Sequence, residues 1–500
     1  MSSPVVSHIN QVILLDKSLQ TPIYLQIAQQ IIIAIQRGII PIGSKLPGTR
    51  ILAQDLQVHR KTIIAGIHEL EAQGWVEAKP NIGTFVIMPE FSFSKKDKPK
   101  ALRLVTNYPS ETGFEVKKST LLDLPIEKPE RNDIVVTDGT PDLRLIHIKS
   151  LTQSYSAALK RKPVTYKLLD AQQENQFFKN QLTNYLNLTR GLHLLPQNIL
   201  PTRSAEMSLH LISQVLLSKN DLVVVAAIGN YKANMIFQQV GAKLIPLEVD
   251  AQGLKIEKLE SFLKGNTIRA IYITPQNHYP TTVTLSASRR MLLLELAKKF
   301  GFIIIEDDYD YEFNYEKAAM LPLASADTDG VVVYLGTFGK ALLPNFRTSF
   351  VVAPQNLIIQ AKKHLQLIDT QSDVVLQQAL ADMINEGDMP RYMKKALKEY
   401  KSRRDFMINV IETNLNEYLT AAVPTGGLAL WLQFKVSVNL TELQEQLKQS
   451  QVHISRINLY QNQKYTAMRV GFANLTLEEL HLFGTKLQQI LLNLIIKSKA

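Results

Sequence analysis

Cysteine is missing altogether from the 500 residues. That excludes disulfides and any thiolate-held metal, and it agrees with a reducing, cytoplasmic setting. Long apolar runs are missing too: Lys, Gln or Asp breaks each candidate before the ~20 residues that a bilayer requires. The first residues show no secretory pattern, so neither a leader nor a membrane association is expected. Charge is sparse, 20 % of residues against 45 % hydrophobic, which excludes a chain disordered throughout. At this length two or three domains with sizeable cores are implied. Acidic residues are the minority, 45 against 56 basic ones, and the net charge of +11 favours a polyanionic partner. No metal site is expected.

What is present is organised around residues 301–347. GFIIIEDDYDYEF and VVVYLGTFGKALLPNFR each set an apolar run, Phe302–Ile305 and Val331–Leu335, before polar residues. Such runs suit parallel strands buried on both faces, and open α/β sheets bind ligands at strand C-terminal ends. Asp307 and Tyr309 leave the first run; Thr337 and Lys340 leave the second, with Arg347 seven residues beyond Lys340. An acid, a phenol, an amine and a guanidinium in one crevice are the groups that hold pyridoxal phosphate. Lys340 serves as the Schiff base, Asp307 binds the pyridinium nitrogen, Tyr309 the ring oxygen and Arg347 the phosphate. Taken singly, each residue reads sooner as a solvated strand end or a commonplace lysine than as a functional group. In order and spacing together, the stretch resembles fold-type I aminotransferases, especially the aminotransferase-like half of MocR regulators.

Upstream, residues 1–15 read as an arm or short strand. TPIYLQIAQQIIIAIQRG places Pro22 at a helix start, apolar residues at helical spacing and Gly38 at the stop. After the loop PIGSKLPGTR come a short helix over Arg50–Leu56, a tight turn at Gln57 and Val58, and a helix from His59 to Gln73 closed by Gly74. These make a helix-turn-helix. WVEAKPNIGTFVIM alternates and turns at Asn81–Gly83, a two-stranded wing. His59, Arg60, Lys61 and Thr62 open the second helix, the end that a recognition helix aims at base edges. Arg60 suits a guanine, while Arg50, Lys61, Thr62 and the Gly83–Thr84 backbone suit phosphates. PIYLQIAQQI, LPGTRILAQDL, VHRKTI, LEAQGWVEA and GTFV together resemble the winged helix-turn-helix of GntR-type regulators. His59 stands where that family usually has Ser, which makes one phosphate contact pH-sensitive. This DNA-binding domain is assigned to residues 1–88 and a linker, with Lys95, Lys96, Lys98 and Lys100 clustered, to residues 89–130.

From 131 to 500 the resemblance is to the MocR aminotransferase-like domain. It sets Gly139, Pro141 and Asp142 in an entry motif where Gly139 offers bare backbone to an effector, and it makes QLTNYLNLTRGL a helix with an Arg-Gly end. ILPTRSAEMSLHLISQVLL has the strand and helix of a phosphate-cradling loop, which brings Ala205 and Glu206 to the cofactor. Ser204, Ala205 and Glu206 replace the usual Gly, Ser and Gln. A helix N-terminus offers N–H groups to an anion, whereas Glu206 opposes a phosphate unless Arg203 or Arg347 neutralises it. Tyr166, a candidate for the partner subunit's phosphate, lacks the glycine that relatives carry after it. Tyr231 is the candidate for stacking on the ring. Tyr279, Pro280, Thr281 and Thr282 stand at the Asn-Pro-Thr-Gly position, and Asn277 or His278 hydrogen-bonds the ring oxygen or substrate; a satisfied buried histidine is the equal alternative. MPRYMKKALKEYKSRRDFMINVIETNL reads as a helix with a solvated basic face. AAVPTGGLALWLQF and MRVGFANLTLEEL read as a small α+β lobe over about 380–500. In that lobe Arg469 matches the arginine that grips a substrate carboxylate, as a bidentate pair.

The expectation is therefore a winged helix-turn-helix (α+β) joined to an α/β fold-type I aminotransferase-like domain with a small C-terminal lobe. The resemblance implies a cytoplasmic homodimer that binds a double-stranded DNA operator, carries pyridoxal phosphate on Lys340 and senses a small amino compound. A working aminotransferase is the alternative; a regulator with a degraded cofactor site is the second.

Overall fold

The computed structural model describes residues 13–16, 21–36, 39–80, 82–87, 110–123, 127–130, 133–146, 148–161, 175–316, 320–338, 340, 348–370, 373–463 and 465–499. Tyr166 and Arg347 lie outside the described residues, as does much of the expected linker. The chain divides into two compact units, residues 1–117 and 118–500.

The first unit packs α1 (Ile23–Gln36), α2 (Thr49–Asp55) and α3 (Arg60–Ala72) against a hairpin of β1 (Val76–Lys79) and β2 (Gly83–Val86). Its core takes Ile27 and Ile31 from α1, Leu52 from α2, Ile63 and Leu70 from α3, and Val76 and Val86 from the wing. The helical spacing in the sequence builds that face. The turn at Gln57 is left-handed, with φ of 49°.

The second unit opens with β3 (Ile134–Val136), α4 (Ile148–Lys160) and α5 (Gln176–Arg190). There follow β4 (Ile199–Thr202), α6 (Ala205–Leu216), β5 (Leu222–Ala226), α7 (Tyr231–Gln239) and β6 (Lys243–Leu247). Next come a hairpin of β7 (Val249–Asp250) and β8 (Gly253–Leu254), then α8 (Ile256–Leu263), β9 (Ala270–Ile273), α9 (Ala287–Phe300), β10 (Ile303–Asp308), β11 (Val332–Thr337) and β12 (Ser349–Val352). Seven strands form one sheet in the order β4-β12-β11-β10-β9-β5-β6. All run parallel except β12, which opposes both its neighbours. Alternate residues face opposite layers: Val223, Ile305 and Leu335 meet α6 and α7, whereas Val224, Ile304 and Val332 meet α8 and α9. Burial on both faces is why β10 and β11 are apolar up to their polar ends, whereas edge strand β6 begins at exposed Lys243.

The C-terminal part comprises α10 (Gln355–Ile368), α11 (Val374–Asn385), α12 (Asp388–Val410), β13 (Leu419–Ala421), β14 (Ala429–Phe434), α13 (Leu440–Gln449), β15 (Val452–Ile454), β16 (Leu459–Gln461), β17 (Thr466–Gly471) and α14 (Leu477–Lys499). Strands β13-β14-β17-β16 form an antiparallel sheet, and β15 pairs in parallel with β3, so residues 134–136 also join this lobe. The expected solvated basic face of α12 is present in exposed Arg391, Lys394, Lys395, Lys398 and Lys401, and two arginines depart from it. Arg403 and Arg404 are buried: Arg403 Nη1 lies 2.7 Å from Asp142 Oδ2 and Arg404 Nη1 donates to the Pro424 carbonyl. Asp142, the acid of the entry motif, is thereby a structural anchor, also bonded by Arg144. Among the described residues, no helix is long and apolar enough to cross a membrane.

Candidate functional sites

In the first unit, α3 starts at a cap made by its own histidine. His59 Nδ1 accepts from the Lys61 N–H at 3.2 Å, which ties that ring nitrogen to the backbone. His59, Arg60 and Lys61 stand exposed and Thr62 is half-buried, so the helix opens on a cationic, solvent-facing end. Arg60 Nε donates to Thr49 Oγ1 at 3.2 Å, which links the recognition helix to the start of α2, beside exposed Arg50. Lys45 lies against Gly83, where a Cβ would collide with Lys45 Cε. The wing glycine is thus held beside a further cation that the sequence reading left aside.

In the second unit, the expected site residues stand at the ends of neighbouring β10 and β11, with Asp307 in register with Leu335. Asp307 is buried and its Oδ2 accepts from the Tyr272 hydroxyl at 2.5 Å; Asn230 Nδ2 lies 3.3 Å from that hydroxyl. Burial pushes the Asp307 carboxyl up to about 6, with the Glu206 and Asp310 charges adding to it and Tyr272 and Lys340 opposing. Its neighbours on β10 serve the scaffold. Glu306 accepts the Leu323 and Ala324 N–H groups, and burial pushes it up to about 7. Asp308, pushed up by burial to about 8, accepts from Tyr334, whose hydroxyl in turn accepts from Arg190. Arg190 is fully buried and pairs with Glu312 at 2.5 Å.

Lys340 lies just past β11, with Nζ 4.7 Å from the centre of the Tyr309 ring and 3.0 Å from Asp310 Oδ1. The Tyr309 hydroxyl donates to the Asn277 carbonyl at 2.7 Å, so a bond from it to a ring oxygen requires that hydroxyl to turn. Asn277 is buried and its Oδ1 lacks a partner. His278 Nδ1 meets Thr281 Oγ1 at 2.8 Å; burial, then the Arg469 charge, pushes it down to about 3, a neutral histidine satisfied by a side chain. Thr337 ends β11 and accepts from Ser349 Oγ at 2.9 Å.

The N-terminus of α6 is filled from within the chain. Ser204 caps it by accepting from the Met207 N–H at 3.1 Å. Burial pushes Glu206 up, but its own backbone N–H, Lys232 and Ser204 outweigh that and hold it below the ordinary range. Lys232 Nζ lies 3.2 Å from Glu206, whereas Arg203 is paired with Asp369 at 2.5 Å. Among the described residues the cation beside Glu206 is therefore Lys232; of the two expected arginines, Arg203 is engaged by Asp369 and Arg347 lies outside the described residues. Ala205 opens α6, and Tyr231 opens α7, half-buried and influenced by the charges of Glu206 and Asp138.

Arg469, on β17, is 1 % exposed. It donates through Nε to the Asp138 carbonyl and through Nη1 to the Pro280 carbonyl, at 2.7 and 2.8 Å, and stacks over Tyr279. Among the described residues it makes no ion pair. Gly139 beside it holds φ of 112° and a Cβ there would crowd Ala429 at 3.3 Å, which explains the glycine by close packing. Sequence reading missed Tyr272, Asn230 and Lys232, which act through Asp307 or Glu206. Only Asp310 carried a signal, as the last acid of EDDYD.

A mostly parallel sheet with one reversed strand, an acid and an amine at adjoining strand ends, and a small antiparallel lobe define a fold-type I aminotransferase-like fold. The multiple substrate aminotransferase of Thermococcus profundus has this fold: TM-score 0.67 at 23 % identity, over 74 % of this chain and 93 % of that one. Residues 23–86 match the family described as bacterial regulatory proteins, gntR family. Over most of its length the chain is similar to the uncharacterized HTH-type transcriptional regulator YdfD of Bacillus subtilis (27 % identity, 93 % of this chain and 95 % of that protein). It is similar likewise to the probable rhizopine catabolism regulatory protein MocR of Rhizobium meliloti (25 %, 84 % of each). The first unit is thus a GntR-family helix-turn-helix domain, and the whole chain is a homologue of MocR-type regulators with an aminotransferase-like fold behind the DNA-binding half.

Proposed function

We propose that the protein is a transcription regulator whose α3 and wing read operator DNA and whose large unit holds pyridoxal phosphate through Lys340. One observation carries the cofactor part: adjoining strands β10 and β11 bring buried Asp307 and the Lys340 amine to one end of the sheet. The residues fit the pyridine end of that group. Asp307 is a buried carboxyl whose ionisation a protonated ring nitrogen would stabilise, and the Tyr309 ring lies within reach of Lys340. When bound, pyridoxal phosphate supplies an aldehyde that amines add to and a ring that withdraws electrons. Arg469, a buried cation held by backbone carbonyls and without an acidic partner among the described residues, suits the carboxylate of a small amino compound. Such a ligand regulates only if it binds two arrangements of the protein with different affinity. A homodimer and a cytoplasmic location belong to the same reading.

The same groups would serve an aminotransferase. Glu206, ionised at the helix end where a phosphate would lie, favours sensing over tuned turnover. Absorbance tests the cofactor, and a turnover assay tests the enzyme. Pyridoxal phosphate added to the purified protein should raise a band near the visible edge, and Lys340→Ala should abolish it. Absence of a band in the wild type would sink the cofactor reading, and sustained conversion of an amino acid with a keto acid would turn the regulator into an enzyme.

A further inference from the structure

We propose that Asp310 is the positioning residue that holds the Lys340 ammonium whenever no aldehyde is joined to it. Loading of the site is then a contest between a carboxylate of the chain and the incoming carbonyl. The inference rests on the reading of Lys340 as the cofactor-bearing amine.

Asp310 is 2 % exposed, and apart from Lys340 Nζ at 3.0 Å no donor reaches either of its oxygens among the described residues. A buried carboxylate without donors is costly, so the ammonium is what satisfies it. Asp307 cannot take that part in the same way, because the Tyr272 hydroxyl occupies its Oδ2. The two acids therefore divide the work, Asp307 bound to the scaffold and Asp310 to the amine. Local backbone fixes Asp310: its carbonyl accepts from the Phe313 N–H in the turn after β10. Gly427, at φ of 80°, leaves room for the side chain, since a Cβ there would sit 3.2 Å from Asp310 Oδ2. Burial pushes the Asp310 carboxyl up, Lys340 and Arg469 pull it back, and Asp138 adds to the rise. An ammonium has no lone pair with which to add to a carbonyl, and one seated against the buried Asp310 carboxylate must leave that contact before it meets an aldehyde.

The test labels the full-length protein at neutral pH with formaldehyde and cyanoborohydride and follows each lysine by mass spectrometry. In Asp310→Asn, which takes away the carboxylate that Lys340 Nζ contacts, Lys340 should be methylated about tenfold faster, with exposed Lys264 and Lys394 unchanged as internal controls. Asp310→Glu, which keeps the charge, should stay near the wild-type rate. Equal labelling of Lys340 in wild type and Asp310→Asn overturns the proposal, as does an increase shared by Lys264 and Lys394, which reports a loosened fold. The absorbance experiment answers separately for the cofactor: selective acceleration at Lys340 without a pyridoxal phosphate band supports the pairing and overturns the cofactor role.

Discussion

The exposed end of α3 in the first unit and the interior of the second carry ionisable groups in opposite ways. Arg50, His59, Arg60 and Lys61 are exposed, while Glu306, Asp307, Asp308, Asp310, Arg190 and Arg469 are all buried. Exposed charges contribute little to stability and act through the ligand they meet. Buried charges are held by specific partners, so removing one is felt by the whole fold. The first site can vary residue by residue; in the second, binding and stability are one problem.

The sharpest way to break this contrast is at Arg190. Arg190→Ala leaves Glu312 and Asp308 without their buried cation and should cost about 3–5 kcal/mol in denaturant unfolding of the large unit; a loss below about 1 kcal/mol would make the network ornamental. Next comes pH. Burial holds Asp307, Glu306 and Asp308 at about 6, 7 and 8, so each keeps its proton more tightly folded than unfolded. Their stabilisation is complete below the ordinary carboxylate range and is lost as pH rises through those values. The melting temperature without pyridoxal phosphate should fall from about pH 5 to about pH 8, and Asp307→Asn should remove on the order of 2–3 kcal/mol of that fall. A flat wild-type profile would argue against it.

At the exposed end, Arg60→Ala should weaken specific DNA binding by about 1–3 kcal/mol while leaving the melting temperature nearly unmoved; an unchanged footprint removes Arg60 from the readout. Glu206→Gln should tighten pyridoxal phosphate binding by roughly tenfold, because a carboxylate leaves the helix end; weaker binding would mean that Glu206 assists the phosphate. Smallest is His59→Ala, which removes the cap of α3 and should cost about 1 kcal/mol, with His59→Ser restoring it. Calorimetry of the isolated mutational series measures that difference.

Much of this was legible in sequence because periodicity and end residues are local. The helix opening at His59, the wing, and the two buried strands before Asp307 and Lys340 follow from runs of a dozen residues or fewer. The partners of the site residues were not. Asp310 lies in the same short stretch as Asp307, yet nothing in EDDYD says which acid meets the amine. Tyr272 and Lys232 come from β9 and α7, and Arg403 turns inward because Asp142, far away along the chain, needs a cation.

By itself the sequence determined the two-part organisation, the alternation of strands and helices, and the residue types gathered at strand ends. Backbone hydrogen bonding and the inside–outside preference act over neighbouring residues, so both leave a readable period. Only the tertiary structure decided which charges are neutralised by which. Electrostatic pairing depends on separation in space and on exclusion of water, and these are properties that no single stretch of chain contains.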